Sequence, residues 1–431
     1  MATLGQHRNW FLGNSLRAVT NALTILLVLA VFATPSAQTQ TFKVIHSFTG
    51  GQDGEAPLAG LTIDQAGNLY GTTFAGGLGS CTGFYGNGCG VVFRLAHSAT
   101  GWIFKPLYSF LGGKDGAGPI DRVGFGHRRG TLYGTTSTGG VGCDSMGCGT
   151  VFSLTPPSNI RHHQWIKTVL YSFSGGSDGA GPDEVVFDKM GAIYGTTSGG
   201  GLNNCSGGCG TAYKLTPAAG TWTESILYAF TNNADGEYPN APLIFDKAGN
   251  LYGTTFMGSS QNYGAVFQLK PLGHGWVENT LYQFQGGSDG GRPAAGLIFD
   301  SSGSLVGATT YAGAGFGGTV FDLKPSNGNW TFSLLYSFAG QNGGGPSATL
   351  VMDAAGSLYG TTERLGAYGS GTVFKLTLVN GTWMQTVLHD FTGGKDGYFP
   401  FSNVVFDRKG NLYGTATFSQ GGGGVVWEIA P

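Results

Sequence analysis

Charged residues are scarce in this sequence. Asp, Glu, Lys and Arg make up 11% of 431 residues, and 22 basic against 24 acidic side chains leave a net charge of −2. A protein that holds nucleic acid through a basic face needs clustered positive charge to displace counterions, so no nucleic-acid partner is expected. Cysteine is rare too, with six residues, and only one long apolar run occurs, LTILLVLAVF at residues 23–32. Ten residues are too few for a comfortable membrane span of about 20. Glycine is what the chain has in excess, 80 residues with no strict triplet, which excludes collagen and argues against helix. Hydrophobic residues at 41% and aromatics at 13% suffice for a core and exclude a disordered chain. These limits leave a large, turn-rich β protein.

Residues 1–37 carry Arg8 and Arg17, no acidic residue, the apolar run, and then the small residues Ala33, Ser36 and Ala37. That order is the pattern of a secretory signal, so the mature chain is expected to span 38–431 and to be secreted or periplasmic, with no stable membrane span after processing.

The mature part is a repeat. The pentad LYGTT recurs with its glycine at Gly71, Gly134, Gly195, Gly253, Gly307, Gly360 and Gly414, spaced by 63, 61, 58, 54, 53 and 54 residues. Each unit holds four short runs rich in β-branched and aromatic residues. In the fourth unit, run A is residues 242–245, B is 251–255, C is 265–270 and D is 276–284. A D-x-x-G-N turn joins A to B, its Asp capping the turn and its Gly accepting positive φ. Seven units of four strands predict an all-β, seven-bladed propeller. The chain ends sharpen this. Residues 42–48 form a lone D run, and residues 425–429 form a lone C run with no D after it. The last blade is therefore expected to be closed by the N-terminal strand, which removes the open edges of a linear array.

The combination GGxDGxxP, FDxxGNLYGTT and GTVFKLTP, running through the whole mature chain, resembles the GloVer tandem repeat of choice-of-anchor exported bacterial proteins. That resemblance implies export and repetition, with no assigned activity or catalytic residues. The shorter FDKAGNLYG at 244–253 is similar to strands A and B of NHL-like propellers, which implies A innermost and D outermost. The D-to-A and B-to-C connections then emerge on one face.

On that face each D-to-A loop carries one acid or amide before a glycine: Asp53, Asp115, Asp178, Asp235, Asp289, Asn342 and Asp396. They read either as a channel-mouth ring for cations or sugar hydroxyls, or as seven copies of one Asp-Gly turn. Calcium takes six to eight oxygens, which one carboxylate per loop does not supply, so the turn reading is preferred. The six cysteines pair by proximity as Cys81/Cys89, Cys143/Cys148 and Cys205/Cys209, all in B-to-C loops of 16, 12 and 12 residues where the other four have 8, 8, 8 and 7. Disulfides within each insertion are expected. These loops also offer Phe84 and Tyr85 for stacking and Asn87, Asp144, Asn203 and Asn204 for hydrogen bonds, making them candidate ligand-binding residues. Six tryptophans open strand D in one register and read as blade packing. No metal-ligand spacing, nucleophile elbow, Walker loop or dinucleotide fingerprint occurs, so no metal, cofactor or catalytic residue is assigned. The expectation is a monomeric, non-catalytic exported propeller binding an extracellular glycan, peptide or protein partner. The alternatives are a polysaccharide lyase or glycosidase with acid and base from different blades, or a structural envelope protein without a specific ligand.

Overall fold

In a computed structural model of the chain, the described residues are 40–431 apart from 84, 144–145, 159–163 and 203. The 1–37 segment thus lies outside them. Residues Phe42–Ala430 pack as one compact unit. Seven antiparallel sheets, each holding strands in the spatial order A-B-C-D, make the blades, and the third carries one extra short strand. A small two-stranded sheet, Thr82–Gly83 with Gly86–Asn87, lies in the first B-to-C loop. The described residues contain no α-helix. No helix among them is long and apolar enough to cross a membrane. The chain is a seven-bladed β-propeller.

Closure follows the unmatched chain ends. Strand Thr41–Ser47 pairs with Val425–Ala430, completing the sheet that holds Leu412–Ala416 and Val405–Phe406. Two further bonds link the last blade to the first. Thr415 Oγ1 donates to the Pro57 carbonyl at 3.1 Å, and Ala56 N donates to the Gly423 carbonyl at 2.8 Å.

Strand B is buried throughout and strand C over its first half, with its last three residues exposed, whereas strand D alternates exposed and covered residues before its covered end. Strand A is shorter than the apolar run implies. In the fourth blade only Ile244–Phe245 pair with strand B, while Leu243 is fully buried ahead of the ladder. Pro242 has no N–H to extend that ladder.

The glycine shared by all seven pentads has a packing cause. Gly253 faces Phe267 of strand C across the ladder, and a Cβ there would come within 2.6 Å of Phe267 Cζ. The same holds in the degenerate fifth copy, where a Cβ on Gly307 would meet Phe321 at 2.6 Å. The strand-C ring thus lies flat over its own strand B and reaches the next interface. There it meets the phenylalanine that ends strand D of the preceding blade, edge to face: Phe110–Phe152 at 5.2 Å, Phe230–Phe267 at 5.0 Å, Phe338–Phe374 at 4.9 Å and, across the closure, Phe48–Phe93 at 5.2 Å. Trp276 and Trp330, which open strand D, pack on Tyr194 and Tyr252 of the blade before. The periodic aromatics are the mortar between blades.

Candidate functional site

The D-to-A and B-to-C loops do share a face, because they pair with each other. Residues just after the D-to-A turn bridge to residues just after the pentad: Glu55 to Ala75, Ala117 to Thr138, Glu237 to Met257, Gly291 to Tyr311, Gly344 to Arg364 and Tyr398 to Phe418. In the third blade the same pairing, Ala180 with Gly199, is long enough to form a ladder.

The carboxylates on this face are engaged by their own turns. Asp53, Asp115, Asp178, Asp235, Asp289 and Asp396 each accept a backbone N–H from the residue four positions earlier, at 2.6–2.9 Å. The residue seven positions earlier adds a second bond in several blades, as with Tyr108 to Asp115 at 2.7 Å and Tyr171 to Asp178 at 2.6 Å. Asn342 donates to Tyr336 Oη instead, at 2.8 Å. Lys167 Nζ from strand D of the second blade also reaches Asp115, at 2.9 Å, and burial draws that ammonium below its usual pKa against the pull of the carboxylate.

The three disulfides form as Cys81–Cys89, Cys143–Cys148 and Cys205–Cys209. The second cysteine of each pair is buried immediately before strand C. The first two disulfides cover Gly112 and Gly175 of the following D-to-A loop, and in the fourth blade, which has no cysteine, Tyr263 covers Gly286 in the same way. Among the described residues, the one close group of three His, Cys, Asp or Glu donors is Cys205, Cys209 and Glu237, and both sulfurs there are already joined to each other.

Of the candidate ligand-binding residues, Phe84, Asp144 and Asn203 lie outside the described residues. Asn87 and Asn204 are exposed. Tyr85 is turned toward the last blade, stacking on Phe418 at 6.1 Å and meeting Phe74 edge-on at 5.1 Å. From Phe418 an aromatic ridge continues through Tyr398 and Phe399 to Phe401.

That ridge ends at a cleft the sequence did not announce. A hollow of about 330 Å³ is lined by Phe256, Arg292, Ala294, Thr310, Tyr311, Ser347, Glu363, Arg364 and Phe401, over the fourth to seventh blades of the same face. The Arg292 guanidinium lies 5.2 Å from the Tyr311 ring centre and 5.9 Å from that of Phe256. Its Nε is buried with no hydrogen-bond partner, as is Ser347 Oγ. Arg364 is held by an ion pair to Glu363 and by the Thr310 carbonyl at 3.0 Å. Burial pushes the Glu363 carboxyl up in pKa, and Arg364 opposes that shift. Two other hollows offer less. One of about 460 Å³ beside Ser260 and Gln283 has no charged lining residue, and one of about 380 Å³ lies between the A-to-B hairpins of the first and last blades.

Arg292 stands where the backbone resists a side chain. The residue before the D-to-A proline has positive φ in every blade: it is glycine at 118, 181 and 345, but Ala56, Tyr238, Arg292 and Phe399 elsewhere. This left-handed geometry is required because the residue's N–H crosses to the preceding blade, as Arg292 N does to the Tyr263 carbonyl at 2.8 Å and Gly118 N to the Cys89 carbonyl at 3.0 Å. A non-glycine residue there costs about 1 kcal/mol. Three bulky residues on one face at such positions point to use. A column-by-column comparison of the seven copies carries this signal, since Gly, the expected residue, is replaced where the cleft and ridge lie.

The same comparison exposes a second departure. Three residues before strand A the copies read Ala59, Asp121, Asp183, Ala241, Ala295, Ala348 and Ser402. Burial, reinforced by Glu184, raises the Asp121 carboxyl to about 7, and burial with Asp121 nearby raises Asp183.

Residues 30–207 and 203–427 match the Gloeobacter/Verrucomicrobia repeat. No curated protein sequence matches the chain. Among solved structures, it is similar to the extracellular domain of a proposed one-component system from B. thetaiotaomicron (9% identity, TM-score 0.53, covering 90% of this chain and 40% of that one). It is also similar to a proposed 6-phosphogluconolactonase from Bacteroides fragilis (17% identity, TM-score 0.50, covering 83% and 88%). At such identities the likeness is one of fold.

Proposed function

The chain belongs to the Gloeobacter/Verrucomicrobia repeat family, and from that premise we propose that it is an exported binding propeller whose D-to-A and B-to-C face holds an acidic glycan. The carrying observation is the unpartnered Nε of Arg292, buried between two aromatic rings in the cleft. A guanidinium with unused donors is the group best shaped to grip a carboxylate or sulfate in two-point fashion. Phe256, Tyr311 and Phe401 supply flat apolar walls for a sugar ring, and the ridge from Phe401 to Tyr85 extends the surface toward the first cross-linked loop. The signal-like segment at 1–37 and three disulfides suit an oxidising compartment outside the cytoplasm. Binding is favoured over glycoside hydrolysis because Glu363 is the single carboxylate among the lining residues and is paired with Arg364. Hydrolysis by the usual route needs two.

The test is a glycan array on the purified protein, followed by calorimetry with an oligouronate and a neutral glucan, with assays for reducing ends and unsaturated products run alongside. Arg292→Gly adopts the residue of three other blades at that position, so it is expected to melt no lower than the parent while oligouronate affinity falls at least about tenfold. Equal binding of the neutral glucan, or unchanged oligouronate affinity in Arg292→Gly, overturns the reading. Product release would move the chain to the enzyme class.

A further inference from the structure

The bridge between the D-to-A and B-to-C loops recurs in every blade, so the side chains it carries can be compared position by position. In the second and third blades the bridging pairs are Ala117 with Thr138 and Ala180 with Gly199. The backbone pairing therefore needs no large side chain. In the seventh blade the same pair is Tyr398 with Phe418, and their ring centres lie 5.4 Å apart.

Phe399, the next residue, departs from the other blades at a cost. Its φ is 53°, where the second, third and sixth blades have glycine, and its N–H crosses to the Ser370 carbonyl at 3.2 Å. The side chain keeps 38% of its surface exposed. A bulky ring on left-handed backbone weakens the folded state, and one left this open to solvent recovers little by packing. Contact with something outside the chain gives the ring a use.

These rings form a continuous track. Phe401, in the wall of the Arg292 cleft, lies 6.1 Å from Phe399, which lies 5.3 Å from Tyr398. Phe418 follows Tyr398, and Tyr85 stacks on Phe418 at 6.1 Å. None of the five carries a charge, so the grip on an acidic group is confined to the cleft, where Arg292 Nε is unpartnered. A row of flat apolar faces with water beside it suits a ligand made of repeated flat units that are apolar on one side and hydroxylated at the edge. Successive sugars of one chain have that form.

Resting on the reading of the cleft as an acidic-glycan site, we propose that the ligand is a linear polysaccharide held along several consecutive sugars. An acidic sugar sits at Arg292, and the sugars that follow it stack on the track from Phe401 to Tyr85. Each further sugar adds contact without a second loss of overall freedom, so affinity grows with chain length until the track is covered.

The test is calorimetry of the purified protein with a series of oligouronates from two to six residues. In the parent, affinity is expected to rise at least about tenfold from the dimer to the hexamer. Phe399→Gly/Phe418→Ala adopts at both positions residues that other blades carry, Gly118 and Ala75 among them, so it is expected to fold. In that variant the hexamer is expected to bind no more tightly than the dimer. Arg292→Gly is expected to weaken dimer and hexamer alike, leaving their ratio unchanged. Equal affinity for dimer and hexamer in the parent overturns the extended track while leaving the cleft reading intact, and the parent series decides this even if the double variant misfolds. A tenfold length dependence retained by the folded double variant also overturns it. No binding at any length would reject the cleft reading, and this inference with it.

Discussion

At the pentad glycine the constraint is a missing methyl group, not a special backbone. Gly253 lies in ordinary strand conformation, and what forbids a side chain is Phe267 above it and Leu243 beside it, 2.6 and 2.9 Å from the Cβ position. Gly249, in the hairpin of the same blade, is the reverse case, with φ of 88° and open space where a Cβ would be. Gly253→Ala is therefore expected to lower stability by about 1–3 kcal/mol through overpacking, read as a shift in urea midpoint. Gly249→Asn, a residue tolerant of left-handed geometry, is expected to shift it much less. Equal effects would show that the ring over Gly253 yields more easily than the close packing implies. The column of Asp121 and Asp183 makes the same point from the other side, because a buried acid where four blades use alanine is a feature the fold does not require.

Strand D shows how one element is retuned at the closure. Its third residue from the terminal phenylalanine is tyrosine in five blades but histidine in the last two, His389 and His46. His389 stacks on Phe42 of the closing strand at 3.6 Å, and His46, within that strand, stacks on Phe104 of the first blade at 4.1 Å, so the two rings sit on either interface of the closing strand. Burial lowers both imidazole pKa values, while Asp396 and Asp53 oppose the shift. Each ring is thus neutral when folded and takes up a proton more readily when unfolded. Its contribution to stability is present above the ordinary histidine pKa of about 6.5 and is lost as pH falls. Glu224 and Glu278 act in the opposite sense. Burial raises both to about 7, so they favour the folded state as pH falls through that value. The His46→Tyr/His389→Tyr variant, which restores the residue of the other blades, is expected to lose less stability than the parent between pH 7.5 and 5.5. Melting curves at both pH values check this, and parallel loss in the two proteins would contradict it.

At the scale of the whole molecule, stability rests on the last blade being shared between both ends of the chain. Deleting residues 38–48 would uncover the edge of Val425–Ala430, remove buried Phe48 and break the contact with Phe93. A sharp fall in melting temperature and self-association in size-exclusion chromatography are expected; a truncated protein that melts with the intact one would contradict ring closure as a source of stability. The disulfides act more locally. Each closes a loop of only four to eight residues, for which the chain-entropy account gives about 2 kcal/mol apiece. Replacing all six cysteines by serine is expected to lower the melting temperature while leaving the far-ultraviolet circular dichroism unchanged.

The amino-acid sequence by itself determined the blade count, the strand order within a blade, the closing strand and the cysteine pairing. Each of these is written in a local period or a short separation, and the seven copies repeat the evidence. The sites were another matter. Asp53 and its six counterparts stand out in the sequence because they recur, and recurrence is what a shared turn produces; folding shows them bonded within their own loops. Arg292, Glu363 and Arg364 come from units with nothing in common at those positions, and only the ring brings them to one cleft. Asp121 and Asp183 depart from a column that is alanine in four blades, and Tyr213 departs from a column that is phenylalanine in five. Which neighbours such departures meet is decided when the blades pack side by side, because contact between neighbouring blades is a property of the closed ring and of no one repeat.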